Sequence, residues 1–225
     1  MKFNTIAMAG AVAVFALASC GNEASTDGAA AVNPKAETED TNKQKQVEGI
    51  VDNGEYHVNT EKSNIGWNAT KVSGEHFGTV GVEKGTINVK AGMVADAQVF
   101  IDMQSITVDD MEGEYADKLL GHLKSEDFFN VEAFPGAFFN LSGIKYVDNQ
   151  YIASGSLKIL DTEGPISFPV KLTNAEGSLQ IEGTATVDRT AYGIKYGSGK
   201  FFEDLGDKMI HDEFTLKFNI YAEPV

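Results

Sequence analysis

The stretch GHLKSEDFFNVEAFPGAFF, residues 121–139, holds five of the fourteen Phe in this chain of 225 residues. A helical spacing leads into it, and beyond Pro135 the pattern changes to the alternation of a strand. Aromatic side chains at this density need an apolar interior to enter, because they bury large apolar areas. We therefore expect a crossover that covers one side or mouth of such an interior, with Phe128 and Phe129 turned inward.

The segment before this crossover predicts an amphipathic helix. Its apolar residues recur every four positions, as they do on one face of a helix: Met111, Tyr115, Leu119 and Leu123. Asp109 or Asp110 is the expected N-cap, since Glu112 follows Asp109 at the spacing of a capping box. A helix cannot continue through Pro135, because proline lacks the backbone N–H that a helix interior requires.

The rest of the chain from residue 55 onward has the rhythm of short strands. Apolar and polar residues alternate, so that Ala97, Val99 and Ile101 share one face. The strand candidates are 56–59, 63–70, 76–82, 85–89, 93–102, 137–146, 151–160, 166–173, 178–187 and 213–222. The expected turns are Glu83-Lys84-Gly85, Asp148-Asn149 and Glu176-Gly177. Short strands with one embedded helix are typical of an antiparallel sandwich or a closed barrel.

The N-terminal region, residues 1–54, is expected to target and tether the domain. Residues 1–19 combine Lys2, an apolar run and small residues, as in a secretory signal peptide. Leu17-Ala18-Ser19-Cys20 resembles the bacterial lipobox, in which the Cys becomes an acylated N-terminus that anchors the chain to a membrane. A polar tether would span 20–54 and the domain 55–225. These features predict a bacterial envelope lipoprotein in the outer membrane, facing the periplasm, with surface display as the alternative.

Composition and motifs argue against two classes of function. A formal net charge of −15 repels nucleic acid, so no nucleic-acid partner is expected. The four His, at positions 57, 76, 122 and 211, lack the spacings of metal ligands, and no metal is expected. No phosphate-binding loop or activated nucleophile is recognisable, and acylation would consume Cys20, the only Cys. The sequence therefore does not predict an enzyme.

Binding of an apolar ligand inside the domain is the better supported expectation. Candidates for a cavity wall are aromatic and aliphatic: Trp67, Phe77, Phe100, Leu119, Leu123, Phe128, Phe129, Phe138, Phe168, Tyr192 and Phe201. The competing interpretation is that these side chains simply fill the core. Arg189, the only Arg, and His76 are the candidates for holding a polar head group, and a structural ion pair or carbonyl clamp is the alternative for Arg189.

Several motifs are similar, in their order and spacing, to those of the YceI-like family. They are Ser63-Asn64-Ile65-Gly66-Trp67, residues 73–78, residues 100–106, residues 122–129 followed by Phe134-Pro135, and Asp188-Arg189-Thr190. The resemblance covers about Tyr56 to Glu223 and implies an all-β fold, an eight-stranded antiparallel lipocalin-like barrel with one amphipathic helix packed beside it. It also implies carriage of a polyisoprenoid or a fatty amide in an elongated pocket. Residues 157–165 depart from the family pattern through an acidic turn, so a ligand contact at this turn is not carried over.

These observations lead to one expected function and one alternative. The expected function is that of a lipid-anchored envelope protein that binds or carries an apolar long-chain ligand, polyisoprenoid or fatty-acyl in type, inside the barrel. The alternative is a structural or signalling envelope module that acts through its surface. No cofactor is expected apart from such a bound lipid, and the membrane is a partner through Cys20. The oligomeric state is left open, with a homodimer as one alternative.

Overall fold

The computed structural model describes residues 50–225. The predicted signal peptide, the acylation site at Cys20 and the predicted tether up to residue 49 lie outside the described residues. In the described part of the chain, no helix is both long enough and apolar enough to cross a membrane.

The described residues form nine strands, one α-helix and three short 3₁₀-helices. The strands are β1 Gly54–Val58, β2 Asn64–Lys71, β3 Gly74–Lys90, β4 Met93–Asp102, β5 Gly136–Val147, β6 Gln150–Ile159, β7 Thr162–Ala175, β8 Ser178–Asp188 and β9 Ile210–Pro224. The α-helix, α1, is Glu114–Lys124. The 3₁₀-helices are Met103–Ser105, Arg189–Tyr192 and Gly206–Lys208.

All neighbouring strands pair antiparallel, and the sheet closes on itself into a barrel of eight positions. β1 and β2 share one position, because both lie between β3 and β9. His57 of β1 pairs with Thr86 and Glu223, while Ile65 of β2 pairs with Val80 and Phe218. The predicted eight-stranded antiparallel barrel with one helix is confirmed.

Two tight turns follow the prediction. Asp148 and Asn149 join β5 to β6, and both have positive φ, 48° and 64°. Glu176 and Gly177 join β7 to β8 with φ of 55° and 89°. Positive φ at both central residues matches the right-handed twist of the flanking strands, which fixes the register of these hairpins.

The predicted turn at Glu83-Lys84-Gly85 is wrong, since β3 runs through it as one strand of 17 residues. The pairing with β4 shifts between Val82 and Lys84, so the segment is a bulge rather than a turn. Gly85 is needed for close packing: a Cβ there would lie 2.6 Å from Cγ2 of Val58. The polar and glycine residues that suggested a turn serve a bend in a long barrel strand.

Helix α1 begins later than predicted. Its N-cap is Gly113, which makes no side-chain cap bond, rather than Asp109 or Asp110. The carboxylate of Asp110 is engaged elsewhere: it accepts from the backbone N–H of Phe77 at 3.1 Å and lies 2.8 Å from Nδ1 of His76. As a result, Met111 precedes the helix and Tyr115, in its first turn, is 80% exposed. The apolar face of the helix is therefore shorter than the four-residue repeat suggested.

The ordered domain also begins before residue 55. Val51 is buried in the core, and Ile50 donates its backbone N–H to the carbonyl oxygen of Gly92 at 3.2 Å. Asn53 accepts from the backbone N–H of Gly92 at 2.8 Å through its side chain. Residues 50–54, which the sequence assigned to the tether, thus pack against the β3–β4 turn, because Val51 gains a buried apolar environment there.

Candidate ligand-binding cavity

The inward-facing side chains leave two apolar cavities inside the barrel. The one nearer α1, called here the helix-side cavity, has a volume of about 80 Å³. Its walls come from alternate residues of several strands, such as Trp67 of β2 and Val80 of β3. Leu123 of α1, with Phe128 and Phe129 of the crossover, covers the cavity at its end. The period of two along each strand brings these apolar groups to one interior.

The second cavity, called here the distal cavity, has a volume of about 90 Å³. It lies toward the end of the barrel where β5 joins β6 and β7 joins β8. Phe139, Phe168 and Phe218 are in its wall, together with Ala153 and Ala185. Every described residue that lines it is hydrophobic.

Four aliphatic residues line both cavities and therefore lie between them: Ile65, Ile101, Leu157 and Leu216. We call this set the constriction. The two cavities are thus arranged end to end along one interior, with the constriction as the narrow level between them. A cavity of about 150 Å³ accommodates one benzene, so the volume of each cavity in this conformation is smaller than that of a cavity that holds one benzene.

Arg189 is the buried charged residue in the wall of the helix-side cavity, at 4% exposure. Its Nε donates to the carbonyl oxygen of His211 and its Nη2 to that of Ile210, each at 3.1 Å. Nη1 donates to the carbonyl oxygen of Ile194, also at 3.1 Å. The guanidinium has five N–H groups, so these bonds use three of them. Arg189 is therefore first a clamp that joins the segment after β8 to the start of β9.

An ionic cluster surrounds this clamp. Asp188 accepts from the hydroxyl of Thr190 at 2.6 Å and from Nζ of Lys200 at 2.9 Å. Nζ of Lys200 also lies 3.3 Å from Oδ2 of Asp212, whose buried Oδ1 has no hydrogen-bond partner and lies 3.6 Å from Nη2 of Arg189. Burial lowers the pKa of the Arg189 guanidinium, and the nearby carboxylates oppose that shift. The cluster fixes the β8–β9 connection beside the cavity mouth.

Aromatic contacts fix the cover of the helix-side cavity. The ring of Phe128 lies 5.5 Å from that of Tyr196 and 6.0 Å from Cζ of Arg189. The ring of Phe129 lies 6.5 Å from that of Phe214 in an edge-on arrangement. Both crossover aromatics line the cavity and therefore point toward the interior.

The structure brings six of the sequence-derived candidates into the cavity walls: Trp67, Leu123, Phe128, Phe129, Phe168 and Arg189. Leu119 is half-buried against the core but outside both walls. Tyr192 is buried in the 3₁₀-helix after β8, where its hydroxyl packs over Gly164. These placements define the cavity, and contact with a ligand remains a prediction for each residue.

Four aromatic candidates are corrected, because they lie outside the interior. Phe100 and Phe138 pair with each other on the outer face, with ring centroids 5.0 Å apart. Since Val99 and Ile101 point inward, strand alternation requires Phe100 to point outward. Phe77 and Phe201 are 43% and 47% exposed.

His76 is also corrected as a head-group candidate. Its ring pairs with Asp110 at 2.8 Å, and neither residue lines a cavity. Burial raises the pKa of Asp110, but the bonds from His76 and from the backbone of Phe77 outweigh it, so the net shift is downward. His76 therefore fixes the segment that leads to α1.

Several wall residues were missed at the level of sequence. Leu157, Phe214, Leu216 and Phe218 line the cavities, and alternation along β6 and β9 carries the signal that could have found them. The acidic turn after Leu157 stays outside, with Asp161 exposed. Among the described residues, no three or more His, Cys, Asp or Glu side chains are grouped so that they could hold a metal ion.

A closed antiparallel barrel with a continuous apolar interior and a helical cover defines a lipocalin-like barrel protein. The chain belongs to the YceI-like family, because residues 56–222 match the model of the YceI-like domain. No curated protein matches the sequence.

Solved structures show the same fold. Burkholderia cenocepacia BcnA is 22% identical, with a TM-score of 0.57, over 73% of this chain and 99% of that one. A domain from Saccharophagus degradans, described as polyisoprenoid binding and implicated in plant cell wall breakdown, is 14% identical with a TM-score of 0.58. That match covers 76% of this chain and 98% of the other. At these identities the likeness concerns the fold.

Proposed function

We propose that this protein binds one long apolar chain, of the polyisoprenoid or fatty-acyl type, along the axis of the barrel. The observation that carries this proposal is the pair of apolar cavities arranged end to end inside a closed barrel. A hydrophobic interior with few polar groups suits a ligand that is itself almost wholly apolar. The polyisoprenoid binding named for the Saccharophagus degradans domain supports the same ligand class.

The size of the cavities sets a condition on this binding. At about 80 and 90 Å³ they are smaller than the full volume of a long chain. A ligand that spans both must move the side chains of the constriction to other rotamers. Leu157 and Leu216 are unbranched at Cβ and change rotamer more readily than Ile65 and Ile101, whose χ1 is restricted. The leucine side of the constriction is therefore the side that opens.

Arg189 would orient the polar end of the ligand. It is the charged group in the wall of the helix-side cavity, and three carbonyl bonds hold it in place. An N–H group outside those three bonds can donate to a ligand oxygen without breaking the clamp. The polar end would then lie under the helical cover, and the apolar tail would extend into the distal cavity.

The proposed location is the bacterial envelope, with the chain anchored through acylated Cys20 in the outer membrane and facing the periplasm. Support comes from the lipobox-like Leu17-Ala18-Ser19-Cys20 after an apolar signal-like run. Metabolic labelling with a palmitate analogue should mark the protein, and Cys20→Ser should abolish the label. A Cys20→Ser protein that keeps the label would reject the anchor.

Native mass spectrometry of protein isolated from its host, without delipidation, tests the ligand. The wild type should carry an apolar molecule. Ala185→Leu adds bulk to the distal cavity and should reduce the loaded fraction several-fold. Thr186→Leu adds bulk at the next position, which is exposed, and should keep the wild-type fraction. An unloaded wild type, or an Ala185→Leu protein as loaded as the wild type, contradicts the proposal.

The narrowness of both cavities favours a second candidate, a structural or signalling module that acts through its surface with its interior filled by its own side chains. This candidate predicts a ligand-free protein and one stoichiometric protein partner in crosslinking experiments. Loading that depends on Ala185 decides against it.

A further inference from the structure

Four large apolar side chains are exposed at the end of the barrel that α1 covers. They are Val72, Tyr196, Phe201 and Phe202, each between 44% and 51% exposed, and we call them the aromatic rim. Val72 lies in the β2–β3 turn, and the other three lie in the connection between β8 and β9. Exposed apolar side chains that cluster, rather than occur singly, mark an interaction surface.

Hydrogen bonds join the pieces that carry the rim. The backbone N–H of Val72 donates to the carbonyl oxygen of Met209 at 3.1 Å. Ile210 donates to the carbonyl oxygen of Gly197 at 2.8 Å, which closes the connection into a loop. Both phenylalanines of the rim donate backbone N–H groups to Ser198 at 3.1 Å. The two segments that carry the rim are therefore bonded to each other through their backbones.

The rim adjoins the cover of the helix-side cavity. The ring of Tyr196 packs 5.5 Å from that of Phe128, and Phe128 lines the cavity. Tyr196 also lies 5.8 Å from the ring of His122 at the end of α1. Anything that binds to the rim is therefore separated from the helix-side cavity only by the crossover aromatics.

The segment that carries three of the four rim residues differs in charge from the whole chain. Residues 195–209 contain three lysines, at 195, 200 and 208, and three acidic residues, at 203, 204 and 207, so their formal charge is zero. The whole chain carries −15. An acidic protein is repelled by an anionic membrane surface, and this segment lacks that excess of negative charge. Tyr is enriched at the membrane–water interface, and Phe is common on the apolar face of segments that lie on a membrane surface.

The described chain starts at the opposite end of the barrel. Ile50 bonds to Gly92 in the β3–β4 turn, whereas the rim lies beside the β2–β3 turn. The stretch from residue 20 to 49 spans at most about 100 Å when fully extended. β3 is about 56 Å long at 3.3 Å per residue, and barrel strands are tilted to the axis. An anchor at Cys20 therefore leaves the rim free to face the same membrane.

We propose that the aromatic rim docks on a lipid bilayer and brings the mouth of the barrel to the membrane surface. Docking does not require a bound ligand. Passage of a ligand between bilayer and cavity rests on the proposed function. The rim then serves as the site of exchange, with the crossover aromatics as the element that moves.

Fluorescence quenching tests the docking with the mature full-length protein added to vesicles of phosphatidylethanolamine and phosphatidylglycerol. Glu203→Cys places an environment-sensitive label beside the rim, and Gln150→Cys places one at the distal end, both at exposed positions. Acylated Cys20 has no free thiol, so the unsubstituted protein gives the background of non-specific labelling. Vesicles should lower the quenching of the Glu203→Cys label by aqueous iodide several-fold and leave the Gln150→Cys label unchanged.

Substitutions in the rim then identify its role. Phe201→Ser with Phe202→Ser should remove the protection of the Glu203→Cys label. Val147→Ser, which alters a distal apolar side chain that is 47% exposed, should preserve it. Equal quenching of both labels with vesicles overturns the proposal. Protection without vesicles would assign the rim to the N-terminal segment if it is independent of protein concentration, or to a second copy if it rises with concentration, and either overturns the proposal.

Ligand loading separates this proposal from the proposed function. If the protein docks on vesicles but its barrel carries no ligand, the docking proposal stands and the proposed ligand binding is rejected. If native mass spectrometry shows a bound ligand but the protein does not dock on vesicles, the proposed ligand binding stands and the docking proposal is rejected.

Discussion

The indole nitrogen of Trp67 donates a hydrogen bond to the carbonyl oxygen of Thr107 at 3.0 Å. Trp67 lines the helix-side cavity, and Thr107 belongs to the segment that leads from β4 to α1. The backbone N–H of Thr107 donates to Thr79 of β3 at 2.9 Å, so the segment is held from two sides. One side chain therefore both forms the cavity wall and fixes the approach to the helical cover.

Gly78→Ala should destabilise the protein by about 1–3 kcal/mol, the usual cost of overpacking. A Cβ at this position would collide with the carbonyl oxygen of Thr107 and lie 2.9 Å from Nε1 of Trp67. The free energy of unfolding in urea measures the effect. Gly66→Ala is the control in β2, since its nearest neighbours would be 3.7 Å away. Equal stability of the two variants would contradict the packing argument.

Arg189→Lys should lower the free energy of unfolding by about 1–3 kcal/mol, because carbonyl oxygens lose their donors in a buried site. Lysine cannot reproduce a planar fork that binds the carbonyl oxygens of Ile194, Ile210 and His211 together. Lys171→Met breaks the exposed pair with Glu182 and should cost less than about 1 kcal/mol. If Arg189→Lys costs no more than Lys171→Met, the clamp is not structural.

Asp188 should make stability depend on acidity. The hydroxyl of Thr190 is the main cause that holds its pKa at about 2, below the ordinary value of 3.8, while burial opposes the shift and Lys200 adds to it. A carboxyl whose pKa is lower in the folded state contributes stability above the unfolded-state pKa. That contribution is full above about pH 4 and is lost as pH falls through about 2.

The gap in unfolding free energy between the wild type and Asp188→Asn should therefore narrow between about pH 4 and pH 2. Lys200→Met should keep most of the pH dependence, because Thr190 is the larger cause. Chemical denaturation across that pH range measures both. A gap that stays constant would show that Asp188 titrates alike in the folded and unfolded chains.

Leu157→Ala should widen the constriction and lower stability by about 2–5 kcal/mol, as for other buried leucines. Leu157 is 3% exposed and lines both cavities. Removing its side chain should shift binding toward longer chains, measured by competition of fatty acids of graded length against a fluorescent fatty acid.

Leu179→Ala is the matched control for that variant, since Leu179 is fully buried and lies outside both cavity walls. It should lose similar stability without changing the preferred chain length. If both variants prefer the same chain length, the constriction does not determine the length of the ligand that the protein binds.

Local patterns in the sequence predicted much of the fold. Asp148, Asn149 and Gly177 adopt positive φ more readily than most residues, so Asp148-Asn149 and Glu176-Gly177 favour tight hairpins through local preference. The alternation around Val99 and Ile101 predicts a strand with one face toward the interior and the other toward the outside. It also implied that Phe100 points outward, and the aromatic character of Phe100 wrongly outweighed that alternation.

Other features could not be predicted, because they depend on pairings between distant parts of the chain. β1 and β2 share one barrel position only because β3 and β9 flank both. The sequence allowed Asp110 to cap the helix. In the folded protein its carboxylate instead contacts His76 and the backbone of Phe77, which are distant in sequence.

The sequence by itself thus determined most of the strands, the helix, two hairpin turns and the family, since each depends on neighbours along the chain. Tertiary structure alone decided which apolar residues form the cavity walls, and that Arg189 is clamped at the helix-side end. The physical reason is register: the closure of the barrel sets which inward side chains face one another, and the gap they leave is the cavity.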